Sequence, residues 1–367
     1  MNRVGLAMAV PLALGLALPL ASFRPNRIAA GESHYLLALH PLAAVLLAGF
    51  ALAVIVLRRK TVLPLAAILL WLALMGWVAR DLALGAAAYA RVTPGPGFWS
   101  VLVAMLILLV DALAHQRPGP LLRLGILAGM AAAILLMLHG GLWDSVSYMQ
   151  EYRSRSASFW REARTHLTLA LGSFAAATVA GFVIGALAHR LASLRAPVVG
   201  VLTLIQTIPS IAMFGMLMLP LGWLAAQIPA LGISGIGMAP AFVALFLYAL
   251  LPMVANTLAG LSAVPANVTE AARGMGMTGP QRFVQIELPL ALPILLTGAR
   301  IVLVQNIGLA TVGALIGAGG FGTFVFQGLG QTASDLILLG ALPTVALAFA
   351  AAVVFDAVIE MTGRGRT

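Results

Sequence analysis

The chain reads as an all-α integral membrane protein with about ten transmembrane helices, and three observations predict that class. Hydrophobic residues make up 62% of the 367 positions, charged residues only 9%, and the mean hydropathy is +1.04; a soluble domain carries about 25% charged residues. Apolar stretches close to the ~20 residues that cross a bilayer recur along the whole length. Basic residues are scattered between those stretches, so the net charge of +10 and the pI of 11.3 reflect orientation in lipid and not a nucleic-acid surface. Cysteine is absent, which excludes disulfides, thiolate metal sites and cysteine nucleophiles.

Taken in order, the first span, 4–22, follows a single basic residue and ends at Leu20-Ala21-Ser22. Its apolar run exceeds the roughly 7 to 15 residues of a signal core, which favours a retained anchor over a cleaved leader. Spans 35–57 and 61–79 flank the basic cluster Arg58-Arg59-Lys60, and spans 97–114 and 121–139 flank Arg117. These make an N-terminal transmembrane extension, 1–139, in which no motif is attached to chemistry. Residues 140–165 carry Arg153, Arg155, Arg161 and Arg164, partly balanced by Asp144, Glu151 and Glu162. They read as an amphipathic connector on the outer face. Spans 166–188, 198–221, 239–261, 291–316 and 338–359 then form a core over 166–360.

Between the third and fourth core spans lies a polar loop, 265–289, with specific punctuation. Pro265 ends one helix, and Asn267 with Glu270 three residues later suggests a capping box that starts a short helix near Val268. Gly276 permits a positive φ and a sharp turn. Thr278-Gly279-Pro280 marks a second helix start, with Pro280 in its first turn. Ala271 and Ala272 keep the first helix thin, so another protein's groove can approach its backbone, while Arg273 and Arg282 charge the rim. The order Glu270-Ala271-Ala272, Gly276, Ile286-x-Leu288-Pro289 reproduces the spacing EAA-xxx-G-xxxxxxxxx-I-x-L-P, and by it the chain resembles the membrane subunits of binding-protein-dependent ABC importers.

The resemblance implies a type I ABC-importer permease core, with Glu270, Ala271, Ala272, Arg273, Gly276, Arg282, Ile286, Leu288 and Pro289 coupling it to an ATPase. It also implies a separate ABC ATPase subunit that uses the ATP, a periplasmic or extracellular substrate-binding protein, a second permease copy in a symmetric homodimer, and a place in the bacterial inner membrane. No cofactor, metal, nucleic acid or catalytic residue is implied for this chain. Gln206-Thr207-Ile208-Pro209-Ser210, Tyr248-Ala249-Leu250-Leu251-Pro252 followed by Asn256-Thr257, and IGAGGFG at 316–322 are similar to the osmoprotectant branch, which takes glycine betaine, choline and related quaternary amines. The long N-terminal extension resembles the YehY-like subgroup. Methionine or a sulfonate is the alternative solute on the same architecture. A motorless channel or secondary carrier is the alternative without an ATPase.

Pro209 removes a hydrogen bond in mid-span, and Gln206, Thr207 and Ser210 stand where they can satisfy the freed groups; a kinked, polar-lined helix suits a translocation path. Asn256, Gln305 and Asn306 are path candidates on the same ground, with glue between helices as the other reading. Arg300, Asp111 and Asp356, near expected span ends, are read as snorkelling or pairing and not as binding solute. Gly317-x-Gly319-x-x-Gly322 matches a dinucleotide fingerprint, with Asp335 downstream, but follows a long membrane helix instead of a short strand. Gly232-Ile233-Ser234-Gly235 matches the serine motif of rhomboid-type intramembrane proteases, but no histidine follows His189 to serve as base. No GxxxxGK[ST] is present to cradle ATP. Aromatic residues are only 7% of the chain and show no clustered cage for a quaternary ammonium, which places selectivity in a partner binding protein.

With loop 265–289 in the cytoplasm, alternation of the spans puts Arg3, Arg58-Arg59-Lys60, Arg117, Arg123, Arg190, Arg195, Arg364 and Arg366 on the same side, as the positive-inside rule requires. Reporter fusions after Lys60, after Arg195 and within 277–281 are expected to report cytoplasm, and fusions near Thr93, Ser154 and Thr332 the outside. An external 277–281 would sink the ATPase-coupled reading, since ATP is not available there.

Overall fold

The computed structural model describes residues 3–26, 29–41, 45, 49, 61–87 and 89–364. Most of the expected span 35–57 lies outside the described residues, as do Arg58, Arg59, Lys60 and Arg366. Among the described residues, eight helices are long and apolar enough to cross a membrane, and two shorter apolar helices, Arg3–Ala17 and Ala192–Thr207, accompany them. The chain divides into two compact units, Met1–Ser154 and Arg155–Thr367.

The first unit contains α1 (Arg3–Ala17), β1 (Ala21–Arg24), β2 (Glu32–His34), α2 (Leu36–Leu39), α3 (Val62–Leu82), β3 (Arg91–Pro94), α4 (Pro96–Gln116), α5 (Pro120–His139) and α6 (Ser147–Ser154). Helix α1 lies against α4 at a close contact: a Cβ on Gly15 would stand 2.3 Å from Val101 Cγ2. Trp71, Met75, Phe98 and Met105 fill the core, and the Trp71 indole N–H donates to the Phe98 carbonyl at 3.0 Å. Aromatic rings in an apolar core need such a polar partner when they carry an N–H.

The sequence reading missed a small antiparallel sheet, ordered β2-β1-β3, with Ala21 opposite His34 and Pro94. Its strands are three or four residues long. They are too short to show alternation, and β1 falls inside the end of the expected first span. Glu151 of α6, 2% exposed, accepts from Arg91 of β3 at 2.7 Å.

The second unit contains α7 (Ser156–Arg190), α8 (Ala192–Thr207), α9 (Ser210–Gln227), α10 (Met238–Ser262), α11 (Ala266–Gly274), α12 (Gly279–Arg282), α13 (Leu288–Ala310), α14 (Gly322–Gly330) and α15 (Ser334–Arg364). Its centre is α7 packed on α10. A Cβ on Gly181 would lie 2.5 Å from Met253 Cβ, and one on Gly185 2.6 Å from Thr257 Cβ. Two glycines one turn apart let these backbones meet without side chains between them, which is how helices associate where lipid removes the hydrophobic drive. Leu169, Ala170, Phe214, Leu245, Leu303 and Ile307 form a buried cluster beside this contact.

Two expectations change. Residues 140–165 are not one connector: α6 belongs to the first unit, while residues 156–165 are the opening turns of α7. At 35 residues α7 runs about 50 Å, longer than the ~30 Å hydrocarbon core, so its charged first turns project as continuous helix. The single expected span 198–221 is two helices, α8 and α9. Leu202 of α8 packs with Leu250 and Val254, and Phe214 of α9 with Ala241 and Leu245, so the two halves follow one another along α10. The expected charge balance is met pairwise by Arg153 with Asp144 and Arg161 with Glu162.

Removing one partner of a buried ion pair leaves the other charge uncompensated. Glu151→Ala is therefore expected to cost the first unit about 3 kcal/mol, read as a lower thermal unfolding midpoint in detergent. An unshifted midpoint would show that Arg91 is satisfied without Glu151.

Candidate functional site

The loop between α10 and α13 is a rigid helix-turn-helix. Helix α11 starts at Ala266, two residues before the expected position. The expected Asn267–Glu270 capping box does not form: Asn267 Oδ1 accepts from the adjacent Val268 N–H at 3.0 Å. Pro265, extended at φ −61° and ψ 136°, occupies the N-cap instead, and its carbonyl takes the Val268 and Thr269 N–H groups. The capping box forms one helix later, where the Gln281 side chain accepts from Thr278 N–H at 2.9 Å and Thr278 Oγ1 from Gln281 N–H at 3.4 Å. Pro280 sits in that helix's first turn as expected.

Helix α11 ends in a Schellman turn, with Met277 N–H on the Ala272 carbonyl and Gly276 N–H on that of Arg273. Gly276 has φ +80° and open space around it, so its conformation, and not crowding, demands glycine. Of the two alanines, Ala272 is buried and Ala271 faces outward with Glu270 and Arg273.

The second half of the motif does a different job. Arg282, expected as a rim charge, is paired with Glu287 at 2.9 Å across a π turn, Phe283–Glu287. Ile286, Leu288 and Pro289 are half-buried in that turn and the start of α13. Pro289 lacks the N–H that an α-helix would point at residue 285, and the π turn relieves the mismatch, with Leu288 N–H reaching back to the Phe283 carbonyl. The Arg190 guanidinium stands 4.8 Å over the Phe283 ring, and Arg195 caps the end of α7 by donating to the carbonyls of Ala188 and His189. The loop is thus clamped to α7 as well as to α13.

Within the core, the break at Ile208-Pro209 is closed by reciprocal bonds. Pro252 in α10 has no N–H, which orphans the Tyr248 carbonyl one turn earlier; Gln206 Nε2 donates to that carbonyl at 2.8 Å. The Tyr248 hydroxyl in turn donates to the Ile208 carbonyl at the break. Thr207 Oγ1 donates within its own helix to Leu204, and Ser210 begins α9. Tyr248 was not expected to act here. A tyrosine four residues before a proline in an apolar span was the available signal.

The other path candidates are elsewhere. Asn256 donates to the Pro252 carbonyl at 2.8 Å and lies under Gly298 of α13, whose Cβ would stand 2.5 Å from Asn256 Cβ. Asn306 is fully buried and donates to Ser173 Oγ of α7 at 2.9 Å, while Gln305 beside it is half-buried. The candidates therefore form separate sets at the α8–α9 break, between α10 and α13, and between α7 and α13. Gly317 and Gly319 of the fingerprint, with Gly320, form a turn at φ +78°, +82° and +85°, held by Glu162, whose carboxylate accepts from Gly320 N–H at 2.8 Å, while Gly322 begins α14. No strand precedes it. Ser234 sits in a loop and accepts from Ile236 N–H at 3.3 Å.

Residues 177–366 match the family described as binding-protein-dependent transport system inner membrane component, and residues 2–149 match the N-terminal domain of the ABC transporter permease YehY. The chain is 40% identical over 199 residues to the osmoprotectant import permease protein OsmW of Salmonella typhimurium, covering 54% of this chain and 87% of that protein. It is 35% identical over 199 residues to the glycine betaine/carnitine/choline transport system permease protein OpuCB of Bacillus subtilis, covering 54% and 84%. Among solved structures, a chain of the inward-facing methionine ABC transporter MetNI is 23% identical, with a TM-score of 0.48, covering 56% of this chain and 97% of that one.

Tyr248→Phe deletes the donor to the Ile208 carbonyl and little else. It is expected to cost about 1 to 3 kcal/mol, the penalty for a buried acceptor left unsatisfied, seen as reduced thermal stability and as faster cysteine labelling at introduced sites along α9. Labelling and stability equal to the unaltered protein would mean that the break needs no latch.

Proposed function

This chain belongs to the binding-protein-dependent transport system inner membrane component family, and we propose that it is the permease subunit of an ATP-driven importer whose solute is an osmoprotectant of the glycine betaine, choline or carnitine class. It is a multi-pass inner-membrane protein. The observation that carries the reading is the exposed, rigidly capped helix α11, which bears Glu270, Ala271 and Arg273 outward in a chain 40% identical to an osmoprotectant import permease. The sequence has no phosphate-binding loop of its own, so ATP is used by a separate ATPase. A substrate-binding protein delivers the solute at the outer face. Two copies of the core, each with about five crossings, enclose the path as a homodimer.

Mechanically, an ATPase dimer that closes on ATP moves α11. The Schellman turn, the capping box and the Arg282–Glu287 pair make α11 and α12 one rigid lever, and the π turn with Phe283 under Arg190 passes its displacement to α13 and α7 together. Helices α8 and α9 are the least buried elements beside the break, burying only Leu202 and only Met213 and Phe214. Alternating access then consists of α9 and α8 shifting against α10 about the Pro209 break.

Gly276→Val forces a β-branched residue into positive φ, and Ala271→Arg fills the outward face of α11. Both variants are expected to insert normally yet lose uptake and co-purification with the ATPase. Uptake at the unaltered rate in both would remove α11 as the docking element. The solute is tested by a screen on the binding protein that co-purifies with the complex, where binding of methionine or taurine but of no quaternary amine would reject the osmoprotectant assignment.

A further inference from the structure

Two opposite charges stand inside the membrane-spanning helices of the second unit. Arg300 lies about 18 Å along α13 from Leu288, and Asp356 about 12 Å along α15 from Arg364, at about 1.5 Å per residue. The expected pairing is present, with Arg300 Nη1 2.8 Å from Asp356 Oδ1. The expected placement near span ends does not hold for Arg300, which is far from either terminus of α13. Each side chain is 39% exposed.

Such exposure is incompatible with lipid as the neighbour, because ionised groups at that depth face a bundle interior or a water-filled cavity. The ion pair therefore faces a second protomer or a water-filled cavity and not lipid. It is neutral in sum, equally open on both partners, and composed of a guanidinium fork that matches a carboxylate and a carboxylate that attracts a cation.

We propose that Arg300 and Asp356 form a transient station for the solute on its path, selective for a zwitterion that carries a fixed cation and a carboxylate; this rests on the osmoprotectant reading above. A zwitterion exchanges partners with the pair: its carboxylate takes the guanidinium while its quaternary ammonium lies beside Asp356. No charge is left alone in the exchange. A simple cation takes Asp356 and strands Arg300 without a counter-ion at membrane depth, which is the costly outcome. Because a quaternary ammonium has no N–H to donate, its contact with Asp356 is Coulombic only, and the solute leaves as readily as it enters.

The test uses proteoliposomes holding the permease with its ATPase and binding protein. Glycine betaine, a zwitterion, and choline, a cation, are each supplied on saturated binding protein so that delivery is equal. The unaltered protein is expected to favour betaine, and Arg300→Gln to shift the betaine-to-choline uptake ratio toward choline by about tenfold. The double variant Arg300→Gln, Asp356→Asn leaves no orphan charge, so it assembles even where the single variant does not, and its ratio is expected to move the same way. A ratio unmoved in the double variant overturns the proposal. If the unaltered complex imports neither solute, the osmoprotectant reading falls and this one with it; import of both at an unmoved ratio overturns the station alone.

Discussion

A backbone carbonyl in the bilayer core has no water to turn to, and that constraint governs the second unit. Pro209 stands at the break between α8 and α9, and Pro252 removes one hydrogen bond within the continuous α10. The interruptions persist because one tyrosine and one glutamine serve them crosswise: Gln206 on α8 supplies the carbonyl that Pro252 orphans in α10, and Tyr248 on α10 supplies the carbonyl exposed at the α8–α9 break. Without these bonds, each unsatisfied group would cost about 1 to 3 kcal/mol. The break is therefore a built feature of the fold, and its closure is made of two side-chain bonds that are able to open.

Around this joint, stiffness is unevenly distributed. Helices α7 and α10 meet backbone to backbone through Gly181 and Gly185, and Asn306 ties α13 to α7 through Ser173. These three helices make a frame. Helix α9, by contrast, leaves Ile211, Met216, Leu219 and Trp223 exposed. Helix α8, which buries only Leu202, is held as loosely as α9, and the two meet at the proline break beside this frame.

The polar loop follows the same division between rigid and movable parts. Its first helix presents small and charged residues outward, and every turn in it is closed by a cap, a Schellman pair or an ion pair. The loop joins α13 through the π turn and α7 through Arg190 over Phe283.

Sequence alone determined the membrane class, most of the helical crossings among the described residues, the Gly276 turn and the second helix start at Thr278, because these follow from apolar length and local backbone chemistry. Local rules failed where two local signals competed: Pro265 displaced Asn267 as the cap, and the ends of α7 and β1 merged with apolar or charged neighbours too short to carry a period. The pairing of Gln206 with Tyr248, of Asn306 with Ser173, of Glu162 with the Gly320 turn and of Arg300 with Asp356 was decided only by the tertiary structure. In each pair the partners come from different elements far apart in the sequence. A single sequence shows which polar groups must find partners in lipid, but the choice among them depends on which helices the glycine contacts bring within hydrogen-bonding distance.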